Sequence, residues 1–137
     1  MGKGTGLLIE VDLKKDIKIL EDAYNDNKSI TAEFNLNILT RLNTELDTDF
    51  NIKEWKHYAF YNSKEGRIEM HLESLSKQDV NVDGDNITFR EEETILTEYS
   101  YKYSIEDFEE LISDSYTLEK VWTDKENKFG ILYFNVK

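Results

Sequence analysis

The sequence contains no cysteine and no proline, and its 17 basic residues are outnumbered by 29 acidic ones. The lack of cysteine excludes disulfides, thiolate metal sites and cysteine nucleophiles. No apolar run reaches the roughly 18 residues that span a bilayer, and no signal-peptide segment opens the chain. With a net charge of −12, binding to nucleic acid or to an anionic membrane is not expected, because both require phosphate neutralisation. These absences predict a soluble, cytoplasmic protein.

Large apolar side chains are plentiful in the rest of the composition. Hydrophobic residues make up 39% of the 137 positions, and aromatic residues 12%. A disordered segment would carry far fewer of both. We therefore expect a folded chain with a hydrophobic core.

The first third of the chain has one strand-like run and two helical patterns. Residues 7–11 are nearly all apolar, as in a strand that is buried on both faces. Helical spacing predicts a first helix within residues 14–26. A second helix follows, and its predicted buried stripe is the row Ile30, Phe34, Ile38 and Leu42, widened by Leu39 and Leu46.

A period of two dominates the remainder and predicts strands. They fall at residues 58–61, 67–75, 80–82, 87–89, 94–103, 116–123 and 128–136. Ser104 and Asp107 form a capping-box pattern that predicts the start of a third helix. The fold class predicted is α+β, with a mixed, mainly antiparallel sheet and about three helices.

Two sequence patterns give only weak evidence for a metal site. Residues 79–84 copy the first half of an EF-hand loop, but Arg90 stands where a bidentate carboxylate is required, and a hairpin turn fits better. His57 and His71 are the only histidines, and no second ligand lies at metal spacing from either. We assign both histidines to the surface or to an interface.

Glu98 and Ser100 form the pattern of greatest interest. In an extended chain they point to the same face, opposite Tyr99, Tyr101 and Tyr103. They would offer a carboxylate and a hydroxyl to a small polar ligand. Taken alone, the pattern favours a solvated strand face.

A series of short segments, taken in order, carries a family resemblance. They are VDLKKD at 11–16, AYND at 23–26, TAEFNLN at 31–37, RLN at 41–43, EL at 45–46, RIEM at 67–70, ETILTEYS at 93–100, WTD at 122–124 and FG at 129–130. Together they resemble the C-terminal portion of the histidine-specific, SAM-dependent Nα-methyltransferases of the ergothioneine-pathway type.

The resemblance implies an inserted substrate domain within a Rossmann-like methyltransferase fold. Residues 1–14 would be a leader and a residual Rossmann strand. Residues 15–101 would be the inserted substrate-recognition domain. Residues 102–137 would supply the C-terminal helix and strand pair of the methyltransferase fold.

The resemblance also implies a binding site for a histidine-like amino acid. Tyr24 matches a tyrosine at the backbone end of the substrate, Glu98 and Ser100 match the pair that reads the imidazole ring, and Met70 lines the same pocket. No residue of this chain is expected to be catalytic or to ligate a metal. The family's SAM-binding motifs lie upstream, so S-adenosylmethionine is implied for the complete enzyme but not for this chain.

The expected function is therefore the C-terminal substrate-recognition part of an amino-acid N-methyltransferase, which does not catalyse alone. The alternative is a stand-alone amino-acid-binding or self-associating module without catalysis. An open strand edge at residues 7–11 and uncovered apolar faces would be covered by the missing N-terminal methyltransferase half or by a homo-oligomer.

Overall fold

A computed structural model describes residues 4–26 and 28–137. It contains the helices α1 (Ile17–Tyr24), α2 (Ile30–Glu45) and α3 (Ile105–Ile112), and a 3-10 turn at Ile52–Glu54. The strands are β1 (Gly6–Asp12), β2 (Trp55–Asn62), β3 (Arg67–Ser74), β4 (Gln78–Val82), β5 (Asp85–Phe89), β6 (Thr94–Tyr101), β7 (Tyr116–Thr123) and β8 (Phe129–Val136). Of the predicted leader, residues 1–3 lie outside the described ranges, and Gly6 already belongs to β1.

The strands form three sheets with the orders β1-β8-β7, β2-β3-β6 and β4-β5. The pairs β1–β8, β7–β8 and β4–β5 are antiparallel. Three helices with mainly antiparallel sheets confirm the predicted α+β class. Within the described ranges, no helix is long and apolar enough to cross a membrane.

The chain divides into two compact units. Unit 1 contains the residues up to Asp16, residues 63–67 and residues 101–137, and unit 2 contains residues 17–62 and 68–100. Unit 1 is thus assembled mainly from both ends of the chain, and all of unit 2 comes from the residues between them.

Unit 1 has its core on one face of the sheet β1-β8-β7. Val11, Leu13, Leu132 and Phe134 form this core together with Phe108 of α3. The other face is also rich in apolar groups, because Leu8 pairs with Tyr133 and Glu10 with Ile131. Leu8 is 63% exposed and Ile131 is 45% exposed, so this outer face is an uncovered apolar surface.

In unit 2, helix α1 covers the outer edge of β2, which is the end strand of its sheet. The carboxylate of Glu21 accepts a hydrogen bond from the backbone N–H of Tyr61 at 3.0 Å. The side-chain amide of Asn25 donates to the carbonyl of Ala59 at 3.0 Å. These contacts occupy backbone groups that a strand edge otherwise leaves unpaired, and they attach the end of α1 to β2.

Helix α2 forms where it was predicted. Its predicted buried stripe is confirmed at Leu39 and Leu42 but is wrong at Ile30, Phe34, Ile38 and Leu46. Ile30, Phe34 and Ile38 are exposed, Phe34 to 64%, whereas the buried residues are Asn35 and Leu39. Leu39 packs in a cluster with Phe50, Trp55, Leu72 and Val80, and Leu36 and Leu42 lie against it. The helix is rotated so that Leu39 and the amide of Asn35 face the strands.

Two further predictions are confirmed. Helix α3 begins with a complete capping box between Ser104 and Asp107, and it buries Phe108. Residues 79–84 lie in the hairpin of β4 and β5, with positive φ angles at Asp83 and Gly84. Its Asn81 side-chain oxygen accepts from the N–H of Gly84, so that oxygen serves the turn itself.

Candidate functional site

Tyr24 and Ser100 meet in unit 2, although 76 positions separate them in the sequence. Tyr24 is the last residue of α1, and Ser100 lies near the end of β6. The two hydroxyl oxygens are 2.7 Å apart and share a hydrogen bond in which either can donate. The contacts of Glu21 and Asn25 with β2 hold the helix end from which the Tyr24 ring projects. The structure thus brings two of the four predicted site residues together.

Met70 lies beneath the same region. It is a buried residue of β3, and it forms a cluster with Leu20, Ala59 and Ile68 against which the Tyr24 ring packs. Its backbone carbonyl accepts a hydrogen bond from the Thr97 hydroxyl at 3.0 Å. Because Thr97 directly precedes Glu98, this bond fixes β6 against β3 beside the predicted site.

Glu98 is exposed on β6, two residues before Ser100. Within the part of the chain that the structure describes, its carboxylate makes no hydrogen bond or ion pair. An ionised carboxylate offers two acceptor oxygens, and those of Glu98 are open to a ligand. Glu98 therefore differs from Met70, which contributes only apolar surface and shape.

The four predicted site residues present a defined set of chemical groups. It offers two hydroxyl groups that donate or accept, one carboxylate that accepts, and an apolar floor at Met70. Among the described residues, no group of three or more His, Cys, Asp or Glu side chains could hold a metal ion.

His57 and Asn35 adjoin the site, and the sequence analysis did not place them there. The ring of His57 contacts the backbone carbonyl of Tyr24 through Nε2 at 2.9 Å and the amide nitrogen of Asn35 through Nδ1 at 3.0 Å. His57 was assigned to the surface or an interface; the residue is half-buried, and both of its ring nitrogens are bonded inside unit 2. The sequence signal that could have identified Asn35 was a polar residue placed between the apolar Phe34 and Leu36 of α2.

A cavity of about 440 Å³ lies next to the end of α1. It is lined by Asn25, Asp26, Ser29, Ala32, Glu33, Leu36, Trp55, Lys56 and His57. None of the four predicted site residues is among them, although Asn25 and His57 are neighbours of Tyr24. The pKa of Asp26 is lowered chiefly by the hydrogen bond from the Thr31 backbone N–H, which makes this carboxylate an anchor for the start of α2.

Residues 1–136 match the family model described as histidine-specific methyltransferase, SAM-dependent. The chain is 38% identical over 134 residues to the histidine N-alpha-methyltransferase of Mycobacterium tuberculosis (strain CDC 1551 / Oshkosh), covering 96% of this chain and 42% of the relative. It is also 38% identical over 131 residues to the protein of that name from Mycolicibacterium smegmatis (strain ATCC 700084 / mc(2)155), covering 93% and 41%.

A third relative has a different named substrate. The L-tryptophan methyltransferase trpM of Psilocybe serbica is 28% identical over 134 residues, covering 95% of this chain and 37% of the relative. The chain thus spans about two-fifths of the length of the curated relatives that it matches.

Proposed function

Because this chain belongs to the histidine-specific, SAM-dependent methyltransferase family, we propose that it is the C-terminal substrate-recognition part of such an enzyme. It binds a histidine-like amino acid through Tyr24, Met70, Glu98 and Ser100. The observation that carries the proposal is the 2.7 Å contact between the hydroxyls of Tyr24 and Ser100. Tyr24 and Ser100 come from distant segments of the family resemblance and meet there. Two residues before Ser100 lies Glu98, whose carboxylate has no partner among the described residues.

The chemistry of an imidazole ring fits this set of groups. A neutral imidazole has one N–H donor and one bare nitrogen acceptor. Glu98 would accept from the N–H, and the Ser100 hydroxyl would donate to the bare nitrogen. A site that hydrogen-bonds both ring nitrogens rejects analogues that leave its polar groups without partners.

Tyr24 would contact the backbone end of the same amino acid. Tyr24 and Ser100 are directly bonded in this structure. Because a hydroxyl group has one donor and two acceptor sites, each of them can contact the ligand while their mutual hydrogen bond holds the two side chains in place.

The proposed domain arrangement is a substrate-recognition domain at residues 15–101, inserted into a Rossmann-like methyltransferase fold. Residues 1–14 and 102–137 would contribute strands and a helix to that fold. The composition of the two units supports this proposal, because β1 pairs with the C-terminal strand β8 across the intervening residues. The antiparallel pairing of β8 with both β1 and β7 adds to that support.

S-adenosylmethionine is the cofactor that the family description names. Nucleotide-type cofactors are typically held by a glycine-rich loop that leads into a helix. None of the glycines in residues 4–26 and 28–137 directly precedes a helix, so the described residues do not fit that role. We infer that SAM is bound by another part of a longer protein, and that this chain alone does not catalyse.

The test is an isothermal titration of this chain with L-histidine, comparing Glu98→Gln with Glu91→Gln. Glu91 is also exposed and lies seven positions before Glu98, so the control makes the same charge change outside the site. We expect Glu98→Gln to weaken binding by about tenfold to a hundredfold, because a hydrogen bond to a charged group is lost. Glu91→Gln should leave the Kd unchanged.

A second candidate function is a self-associating module, supported by the apolar outer face of unit 1 around Leu8 and Ile131. Its partner would be a second copy of the chain or the remainder of a longer methyltransferase. Absence of histidine binding, together with association of the isolated chain in sedimentation velocity, would favour this function. Equal weakening by both glutamate substitutions would instead indicate a nonspecific effect of charge.

A further inference from the structure

The orientation of the Asn35 side chain can be worked out from its neighbours. Its Nδ2 lies 3.0 Å from the backbone carbonyl oxygen of His71, which can only accept. The reversed amide would place two acceptor oxygens against each other, so the nitrogen must face His71. The same nitrogen lies 3.0 Å from Nδ1 of His57. Asn35 therefore donates one hydrogen to each neighbour.

This orientation determines the tautomer of His57. Since Asn35 donates to Nδ1, that nitrogen must be bare and must accept. Nε2 lies 2.9 Å from the backbone carbonyl oxygen of Tyr24, which is also an acceptor, so Nε2 must carry the proton. The neutral ring protonated on Nε2 is the form that satisfies both contacts.

The carbonyl that His57 reaches belongs to the last residue of helix α1. The last four carbonyls of an α-helix have no partner within the helix, and Tyr24 is the last residue of α1. The hydrogen bond from His57 gives this carbonyl a partner and holds the Tyr24 peptide directly. The contacts of Glu21 and Asn25 act through side chains on either side of it.

We propose that His57 is a positioning residue of the ligand site, held in its Nε2-protonated form by Asn35 so that it fixes Tyr24 against Ser100. This inference rests on the proposed function for its ligand. Asn35 is fully buried, and its Oδ1 has no hydrogen-bond partner among the described residues. A buried amide with an unsatisfied oxygen is unfavourable. The nitrogen of the same amide, however, fixes the ring of His57.

The test uses two substitutions that separate the contacts of His57. In His57→Gln, the terminal amide reaches the position of Nε2 and can donate to the Tyr24 carbonyl. In His57→Asn, the shorter amide reaches the position of Nδ1 and keeps the contact with Asn35, but it does not reach Tyr24. Both remove the ring, so a loss of aromatic packing affects the pair alike.

The first measurement uses NMR on the unliganded chain. We expect the ¹⁵N signals of His57 to show a protonated Nε2 and a bare Nδ1. The ring signals of Tyr24 should shift in His57→Asn and keep their wild-type positions in His57→Gln. A proton on Nδ1, or Tyr24 signals that are unchanged in His57→Asn, would overturn the inference. This measurement needs no ligand, so it stands even if the chain does not bind histidine.

The second measurement is the titration with L-histidine. We expect His57→Asn to weaken binding by about threefold to tenfold, the effect of one net hydrogen bond, and His57→Gln to restore it. Equal Kd values for wild type and His57→Asn would contradict a positioning role. If wild type does not bind histidine, the proposed function fails, and the NMR result alone decides whether His57 fixes Tyr24.

Discussion

Helices α2 and α3 each carry a phenylalanine in an apolar pattern at helical spacing, but only one of the two is buried. In α3, Phe108 is buried and its ring lies 6.0 Å from that of Phe134. In α2, Phe34 belongs to the predicted apolar row but is 64% exposed. The buried residues of α2 include Asn35, whose amide bonds His57 and the carbonyl of His71.

The difference follows from what each helix packs against. Helix α3 lies on the apolar face of its sheet, where area removed from water decides the orientation. Helix α2 also makes specific hydrogen bonds in its buried face, and a buried amide fits only one rotation of the helix. Apolar spacing therefore predicts that a helix forms, but it identifies the buried face only where apolar contact is the main constraint.

The largest expected effect comes from truncating one phenylalanine in each helix. Phe108→Ala should lower the free energy of unfolding of unit 1 by about 3–5 kcal/mol, because it leaves a cavity in the core. Phe34→Ala should change the stability of unit 2 by no more than about 0.5 kcal/mol. Urea titrations followed through amide NMR signals of each unit would measure both. Comparable losses would mean that Phe34 is covered in solution and that the two helices do not differ.

A smaller effect is expected within α2, where two asparagines lie on different sides. Asn35→Ala should destabilise unit 2 by about 2–3 kcal/mol, because it leaves His57 Nδ1 and the His71 carbonyl without their donor. Asn37→Ala makes the same change at an exposed position and should have almost no effect. The same urea titration measures both variants. If Asn35→Ala were as stable as Asn37→Ala, the rotation of α2 would not depend on this amide.

The smallest expected effect concerns the helix starts. The Lys14 ammonium, followed by the backbone and hydroxyl of Ser104, lowers the pKa of Asp107 from 3.8 to about 2. A lowered pKa means that the stabilisation is complete above about pH 4 and is lost as the pH falls towards 2. In Lys14→Met, we expect the pKa of Asp107 to rise towards its ordinary value.

Carboxyl ¹³C titration would measure the pKa of Asp107 in both proteins. The pKa of Asp26, which supports the start of α2, is lowered mainly by the Thr31 backbone N–H and should not respond to Lys14→Met. The two helix starts would then differ in the source of their acid sensitivity. An unchanged Asp107 pKa in the variant would show that the ion pair with Lys14 contributes nothing in solution.

The parts of the fold that were predictable are those with a local cause. The capping box of Ser104 and Asp107 lies within four residues, and the turn at Asp83 and Gly84 needs only adjacent residues with positive φ. Alternation along β6 suggested that Glu98 and Ser100 share a face. Each of these features is determined by neighbours in the sequence.

The parts that were not predictable depend on distant contacts. Tyr24 was assigned to the site only through the family resemblance, because its partner Ser100 lies 76 positions away. The role of His57 depends on Asn35 and on a carbonyl at the end of another helix. No local pattern reports such a network, since its members share neither a segment nor a periodicity.

The covering of β2 by α1 links ligand binding to the dynamics of the chain. The N–H of Tyr61 donates to Glu21, so its hydrogen exchange with water is slowed while α1 holds this contact and speeds up when α1 opens locally. The same opening withdraws Tyr24 from Ser100 and uncovers a strand edge to which another molecule can add. A ligand that retains Tyr24 would therefore slow amide exchange at the β2 edge and protect the chain against aggregation through that edge.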